Sequence, residues 1–281
     1  MKHIYTSFLI LFLINNSFSQ SIKGVVINEK NNEPIPYVSV GIIGEYYGTY
    51  SSNLGEFELT LKEFSRNDSL RFSCIGFESV SFNVFELTNR IPENIPFVVK
   101  LTPKDYQIQE VAVFSNKKKT IKIGNKRSGE RILLGIFDDK ELGVVFKNKR
   151  NLLLKEVSFK LSTSWGNAPD SAIFRFNIYT LENGLPKENI LTQPIYFYLI
   201  NESFNGYSTF DISEYNIKIN QDFAATFELV KQYGGHRVYF TGQLTGNKSI
   251  HRKGQQGIWF DSYENTPLNL KQSLIINAFI E

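Results

Sequence analysis

From residue 20 onward, short runs of β-branched and aromatic residues recur about every ten residues, with turn-forming residues between them. That rhythm admits a sandwich or a barrel and little else. In Tyr37-Val38-Ser39-Val40-Gly41-Ile42 the side chains alternate, so Val38, Val40 and Ile42 share one face. Phe57, Leu59 and Leu61 do the same. In the second half, Phe174, Phe176 and Ile178 alternate with Arg175 and Asn177, which predicts one buried and one wet face. Turn chemistry falls at residues 28–36, 44–48 and 53–55. No run longer than ten residues carries a convincing helical period.

Predicted strands in the first half are 22–27, 37–42, 57–61, 70–75, 79–84, 97–101 and 110–114. In the second half they are 152–161, 172–181, 193–200, 207–212, 216–219, 223–230, 238–244, 257–260 and 274–280. About nine strands in the second half suit a jelly-roll-like β-sandwich. The expected fold is therefore all-β, with two sandwiches in succession. No short repeat of the solenoid kind is present.

Residues 1–19 read as a signal peptide. Met1-Lys2-His3 supplies a basic start, an apolar run follows, and Ser17-Phe18-Ser19 places small residues before a cut ahead of Gln20. The apolar run is too short for a permanent membrane span. The residue at the cut is Gln20 rather than a cysteine, so a lipid anchor is not indicated, and no transmembrane span is expected after cleavage. The expected domains are 20–115 as a first sandwich, 116–130 as a basic linker and 131–281 as a second sandwich. The basic stretch runs from Lys117, Lys118 and Lys119 through Lys122 and Lys126 to Arg127 and Arg131. It reads as a solvated linker, with contact to anionic envelope polymers as the alternative.

Hydrophobic residues at 42% against 21% charged suffice for packed cores and exclude wholesale disorder. A net charge of +3 is too small to argue for nucleic acid. The single cysteine, Cys74, allows no internal disulfide and reads as a buried structural thiol.

Three segments of the first half carry a resemblance. They are Gly24-x-Val26 with residues 33–40, then residues 48–59, then residues 70–78. Glu33-Pro34-Ile35-Pro36 is a stiff turn, because both prolines fix φ. Gly55 suits a turn with positive φ, and Gly76 a bulge or close backbone approach. In this order the segments resemble the carboxypeptidase regulatory-like domain, a transthyretin-like β-sandwich. Its bacterial members stand ahead of TonB-dependent receptor plugs or at the start of other exported proteins. Residues 101 and 108–113 resemble the exit segment before such a plug. The resemblance covers residues 22–113. It departs at Ser52, where Asp or Asn is usual, implying a more weakly capped turn, and at Cys74, where an aromatic or aliphatic residue is usual. The remaining residues are too few for a receptor barrel, so the chain is not itself such a transporter. The resemblance is to an accessory domain and implies no catalytic residue.

The residues show no chemistry that contradicts this. No His-x-x-Glu zinc pair, nucleophile elbow, phosphate loop or dinucleotide fingerprint occurs. His236 and His251 read as turn residues. Asp138-Asp139 with Glu141 reads as an acidic turn, with calcium the alternative. Loop aromatics are the candidate ligand or partner contacts: Trp165 in Ser164-Trp165-Gly166, Tyr233 before Gly234-Gly235, and Tyr263 after Trp259-Phe260-Asp261-Ser262. Trp259 reads as strand-bound. No catalytic residue, metal or cofactor is expected.

The leading expectation is a non-catalytic interaction or structural protein of a Gram-negative envelope, whether periplasmic, at the outer membrane or at the cell surface, with an envelope protein or surface glycan as partner. A glycan-binding protein using the loop aromatics is the second reading. A hydrolase hidden in the second sandwich is the third.

Overall fold

The computed structural model describes residues 20–61, 64–90, 95–105, 119–125, 132–135, 140–163, 168–204, 206–234, 237–243, 246–261, 271–272 and 274–280. The predicted signal segment and the predicted strand 110–114 lie outside the described residues.

The first module contains β1 (Gln20–Asn28), β2 (Ser39–Ile42), β3 (Gly48–Tyr50), β4 (Glu56–Leu61), β5 (Ser69–Ser73), β6 (Val80–Asn83), α1 (Val84–Arg90) and β7 (Phe97–Leu101). One sheet has the order β4-β1-β7 and the other β3-β2-β5-β6. The β1–β7 pair is parallel and every other pair in the module is antiparallel. Alternation drives the packing. Along β4 the residues switch strictly between exposed and buried, and Phe57, Leu59 and Leu61 join Val26, Val40, Phe72 and Val99 in one core.

The helix α1 replaces the end of the strand predicted at 79–84. Asn83 stops β6 and its Oδ1 accepts the Glu86 N–H at 3.0 Å, a side-chain cap that starts the helix. Gly55 adopts φ +74° as the turn requires. Ser52 does cap that turn: its Oγ accepts the N–H groups of Leu54 at 3.1 Å and Glu56 at 3.3 Å.

The second module contains β8 (Lys119–Gly124), β9 (Ile132–Gly135), β10 (Lys140–Phe146), β11 (Leu152–Thr163), β12 (Ser171–Glu182), β13 (Leu185–Asn189), β14 (Ile195–Ile200) and β15 (Gly206–Asp211). It continues with β16 (Lys218–Ile219), β17 (Phe223–Tyr233), β18 (Val238–Gln243), β19 (Ser249–Lys253), β20 (Trp259–Asp261), β21 (Lys271–Gln272) and β22 (Leu274–Ile280). Seven strands form one sheet, ordered β13-β12-β17-β10-β19-β20 with β14 beside β12. Eight form the other, ordered β21-β18-β11-β22-β8 with β9, β15 and β16 at its flanks. All described pairings in this module are antiparallel. Its core is phenylalanine-rich. Phe227 lies 4.3 Å from Phe159 and 5.2 Å from Phe176, centroid to centroid.

Part of the stretch expected to be a basic linker is a strand of this module. Lys119–Gly124 pairs with β22, and Ile121 and Ile123 pack against the core. Lys122 between them takes the other side of the pleat, so a strand can carry basic residues and still be anchored.

Central strands β12 and β17 are buried on both faces over most of their length. One face meets the eight-stranded sheet. The other is covered by the first module, which corrects the wet face expected for Arg175 and Asn177: they are 4% and 2% exposed.

Phe227→Ala should remove about 3–5 kcal/mol of stability, because the ring is fully buried among others and the cavity cannot collapse. Tyr207→Ser, at a half-exposed position, should stay within about 0.5 kcal/mol of wild type. Denaturant titration at constant m-value measures both.

Candidate functional site

The site lies where the first module meets the outward face of the seven-stranded sheet. Residues on that face come from neighbouring strands in register: Arg175 opposes Glu228, Glu228 opposes Glu141, and Glu141 opposes Arg252. Across β12, β17, β10 and β19 the four charges thus run Arg–Glu–Glu–Arg, each outer arginine beside one carboxylate. The Arg175 guanidinium donates to Glu228 Oε2 through Nε at 2.9 Å and Nη2 at 2.6 Å. Arg252 donates to Glu141 Oε2 through Nε at 2.7 Å and Nη2 at 2.6 Å. Glu141 Oε1 also accepts from Asn177 Nδ2 at 2.8 Å, Tyr179 OH at 3.1 Å and Thr226 Oγ1.

The first module completes this network. Arg175 Nη1 donates to the Tyr37 carbonyl at 2.8 Å and Nη2 to Ser39 Oγ at 2.6 Å. The Tyr50 hydroxyl donates to Glu228 Oε1 at 2.6 Å. Beside it, Gln256 Nε2 donates to Ser73 Oγ at 2.8 Å, and the Gly44 N–H donates to the Gln256 carbonyl at 2.9 Å. Gly254, at φ +78°, lets the backbones close: a Cβ there would lie 2.6 Å from the Glu45 carbonyl oxygen. Tyr37 sits at φ +55°, an uncommon conformation for a bulky side chain, with its carbonyl held by Arg175.

The electrostatics follow from burial and pairing. Burial opposes the Glu228 charge, but Arg175 and then Arg252 outweigh it and hold the carboxyl below its ordinary range. Burial likewise opposes the Arg175 charge, and Glu228 more than restores it. Burial, then the Glu228 charge, pushes the Tyr50 phenol well up, so it stays a donor.

Two openings flank the network. One is a cavity of about 310 Å³. Arg71, Lys104, Lys187 and Glu188 line it together with the network residues Arg175, Asn177 and Arg252. Cys74 also lines it, as a buried thiol whose pKa burial raises. The other is a groove of about 1210 Å³ between Tyr50 and Tyr233.

Of the aromatics singled out in the sequence, Tyr233 is half-exposed at the end of β17 and lines the groove. Trp165 and Tyr263 lie outside the described residues, as do His236 and Asp138-Asp139. Trp259 is in β20, with its ring under the Arg252 guanidinium at 4.9 Å and edge-on to Tyr179 at 5.5 Å. His251 is a strand residue of β19, not a turn residue, and its ring stacks on Phe260. Glu141 is no loop carboxylate for calcium, because both its oxygens are taken by side chains in the sheet. Among the described residues no group of three His, Cys, Asp or Glu is placed to hold a metal ion.

Sequence reasoning missed Arg175, Glu228, Glu141 and Arg252. The available signal was polar residues at alternate positions in two of the most apolar strands, Arg175 and Asn177 in β12 and Thr226 and Glu228 in β17.

The strand order, the proline turn and the Gly55 turn now stand beside a direct comparison. Residues 22–113 match the family model of the CarboxypepD_reg-like domain. The matched span runs from Ile22 in β1 past the end of β7, so the regulatory-like domain is the first module. It supplies Tyr37, Ser39 and Tyr50 to the joint. No curated protein matches the chain.

Arg175→Met should cost about 3–5 kcal/mol by leaving Glu228 buried beside an apolar chain, and adding Glu228→Met should return part of that loss. A double-mutant cycle by denaturation measures it. The folded pKa of Glu228 is lowered, so its contribution is complete above the ordinary value of 4.5 and is lost as pH falls through the lowered one. Below pH 4.5 the wild type should therefore lose stability more steeply than Glu228→Gln.

Proposed function

We propose that the chain is a non-catalytic, exported envelope protein in which the regulatory-like domain serves as a docking module fixed to the second sandwich. The observation that carries this reading is the joint itself. Its charged groups are spent on one another and on module contacts: Glu228 and Glu141 each accept bonds on both oxygens. Carboxylates so engaged, and buried under the first module, are committed to the joint rather than presented to a substrate. The matched family supports a non-catalytic first module.

Export rests on the basic, apolar and small-residue order of residues 1–19. Among the described residues no helix is long and apolar enough to cross a membrane. An envelope location gives the second sandwich a partner to present, and the rigid joint sets the direction in which it is presented.

The test is to recover the tagged protein from fractionated Gram-negative cells and determine its N-terminus by mass spectrometry. The reading expects a chain beginning at Gln20, in the envelope fraction, with an envelope component that is lost when residues 20–115 are deleted. A chain retaining Met1 in the cytoplasmic fraction would contradict it.

A further inference from the structure

The ion network accounts for the joint, but not for the groove beside it, which Tyr37 and Tyr233 line, or for Tyr198 exposed on the neighbouring sheet face. Tyr233 and Tyr198 expose 49% and 66% of their surface on the same sheet face. Tyr198 opposes Ile173, which opposes Lys231, two residues before Tyr233. The two tyrosines therefore stand on strands two apart, roughly 10 Å across the sheet. Tyr37 of the first module lies between the sheet and the groove. Tyr37 lines the groove together with Tyr233. Its ring is braced edge-on by Tyr196 at 5.4 Å, and the Tyr233 ring lies under the Lys231 ammonium at 5.8 Å.

We propose that this groove, with the tyrosine row leading into it, binds a neutral polysaccharide chain in extended form. The tyrosine spacing suits alternate rings of such a chain, each laying its C–H face on a phenol ring. The charges of the lining cancel, two lysines (Lys23, Lys231) against two glutamates (Glu56, Glu58). Lys23 and Glu58 pair at 2.9 Å. A lining without net charge gives a polyanion no electrostatic hold. What remains is suited to sugar hydroxyls, with Thr49 and Asn53 among the wall side chains. The volume, about 1210 Å³, takes several sugar rings. Both modules wall the groove, so the site exists only while the joint is closed. Tyr37, strained at φ +55° and fixed through its carbonyl to Arg175, is what the joint sets in place. The site goes beyond the docking-module reading, which names no ligand.

The full mature chain is run in native gels containing hydroxyethyl cellulose, xyloglucan, galactomannan or laminarin, with carboxymethyl cellulose as the charged control. Retardation by at least one neutral polymer is expected. Tyr233→Ala and Tyr198→Ala should each weaken it roughly ten-fold, while Tyr233→Phe and Tyr207→Ser should leave it intact. Circular dichroism and the denaturation midpoint confirm that each variant is folded. No retardation by any neutral polymer overturns the proposal. So does retardation by the charged polymer alone, or binding that ignores both alanine variants. So does a tyrosine-dependent dimer in sedimentation with no effect of polysaccharide. A closed joint without polysaccharide binding would sink this site and leave the docking-module reading standing.

Discussion

The contact between Arg175 and Glu228 organises the rest of the molecule. Both belong to the second module and oppose each other on adjacent strands. The pair lies on a sheet face that would be solvated in the second module alone, where it would contribute little. The first module covers it, and the arginine then has donors for two new acceptors, the Tyr37 carbonyl and Ser39 Oγ. One guanidinium thus satisfies the cross-strand carboxylate and the incoming backbone together. Its planar fork suits that double duty in a way a lysine ammonium does not.

A polar joint has different consequences from an apolar one. Burying an ion pair returns little net stability, because desolvation offsets the attraction. Misplacing either partner is costly, since a buried charge is then uncompensated. The joint is therefore better at fixing an orientation than at adding stability. The apolar cores do the latter, one in each module. A small third cluster, with Val145, Tyr179, Ala224 and Ile250, continues the outward face beyond the charges. The openings on either side of the network are products of the same docking, and their shape depends on its angle.

Much of the fold was legible in the sequence, and the reasons are local. Alternation in β4 and β12 and the turn glycines state strand and turn without any tertiary information. The proline turn, the Gly55 turn and the 70–78 segment together identified the first module. The joint was not legible for a different reason. Arg175 and Ser39 are 136 positions apart, and Arg175 and Glu228 are 53 apart. An arginine alternating with phenylalanines reads as a solvated face unless something is known to cover it. The helix after β6 was hidden because Asn83 and seven following residues are too short a stretch to show a period. The half-exposure of Tyr233 was legible because its Gly-Gly neighbours mark a chain reversal, whereas Tyr198 and Tyr37 sit in strand-like or proline-stiffened sequence that gives no hint of exposure.

Small-angle X-ray scattering of the mature chain tests the central claim most directly. A joint held by a buried network is shielded from screening. The account predicts a single compact particle whose profile fits the docked modules and is unchanged between low and high salt at neutral pH. A profile that requires an ensemble of separated modules, or that expands as salt is added, would contradict it.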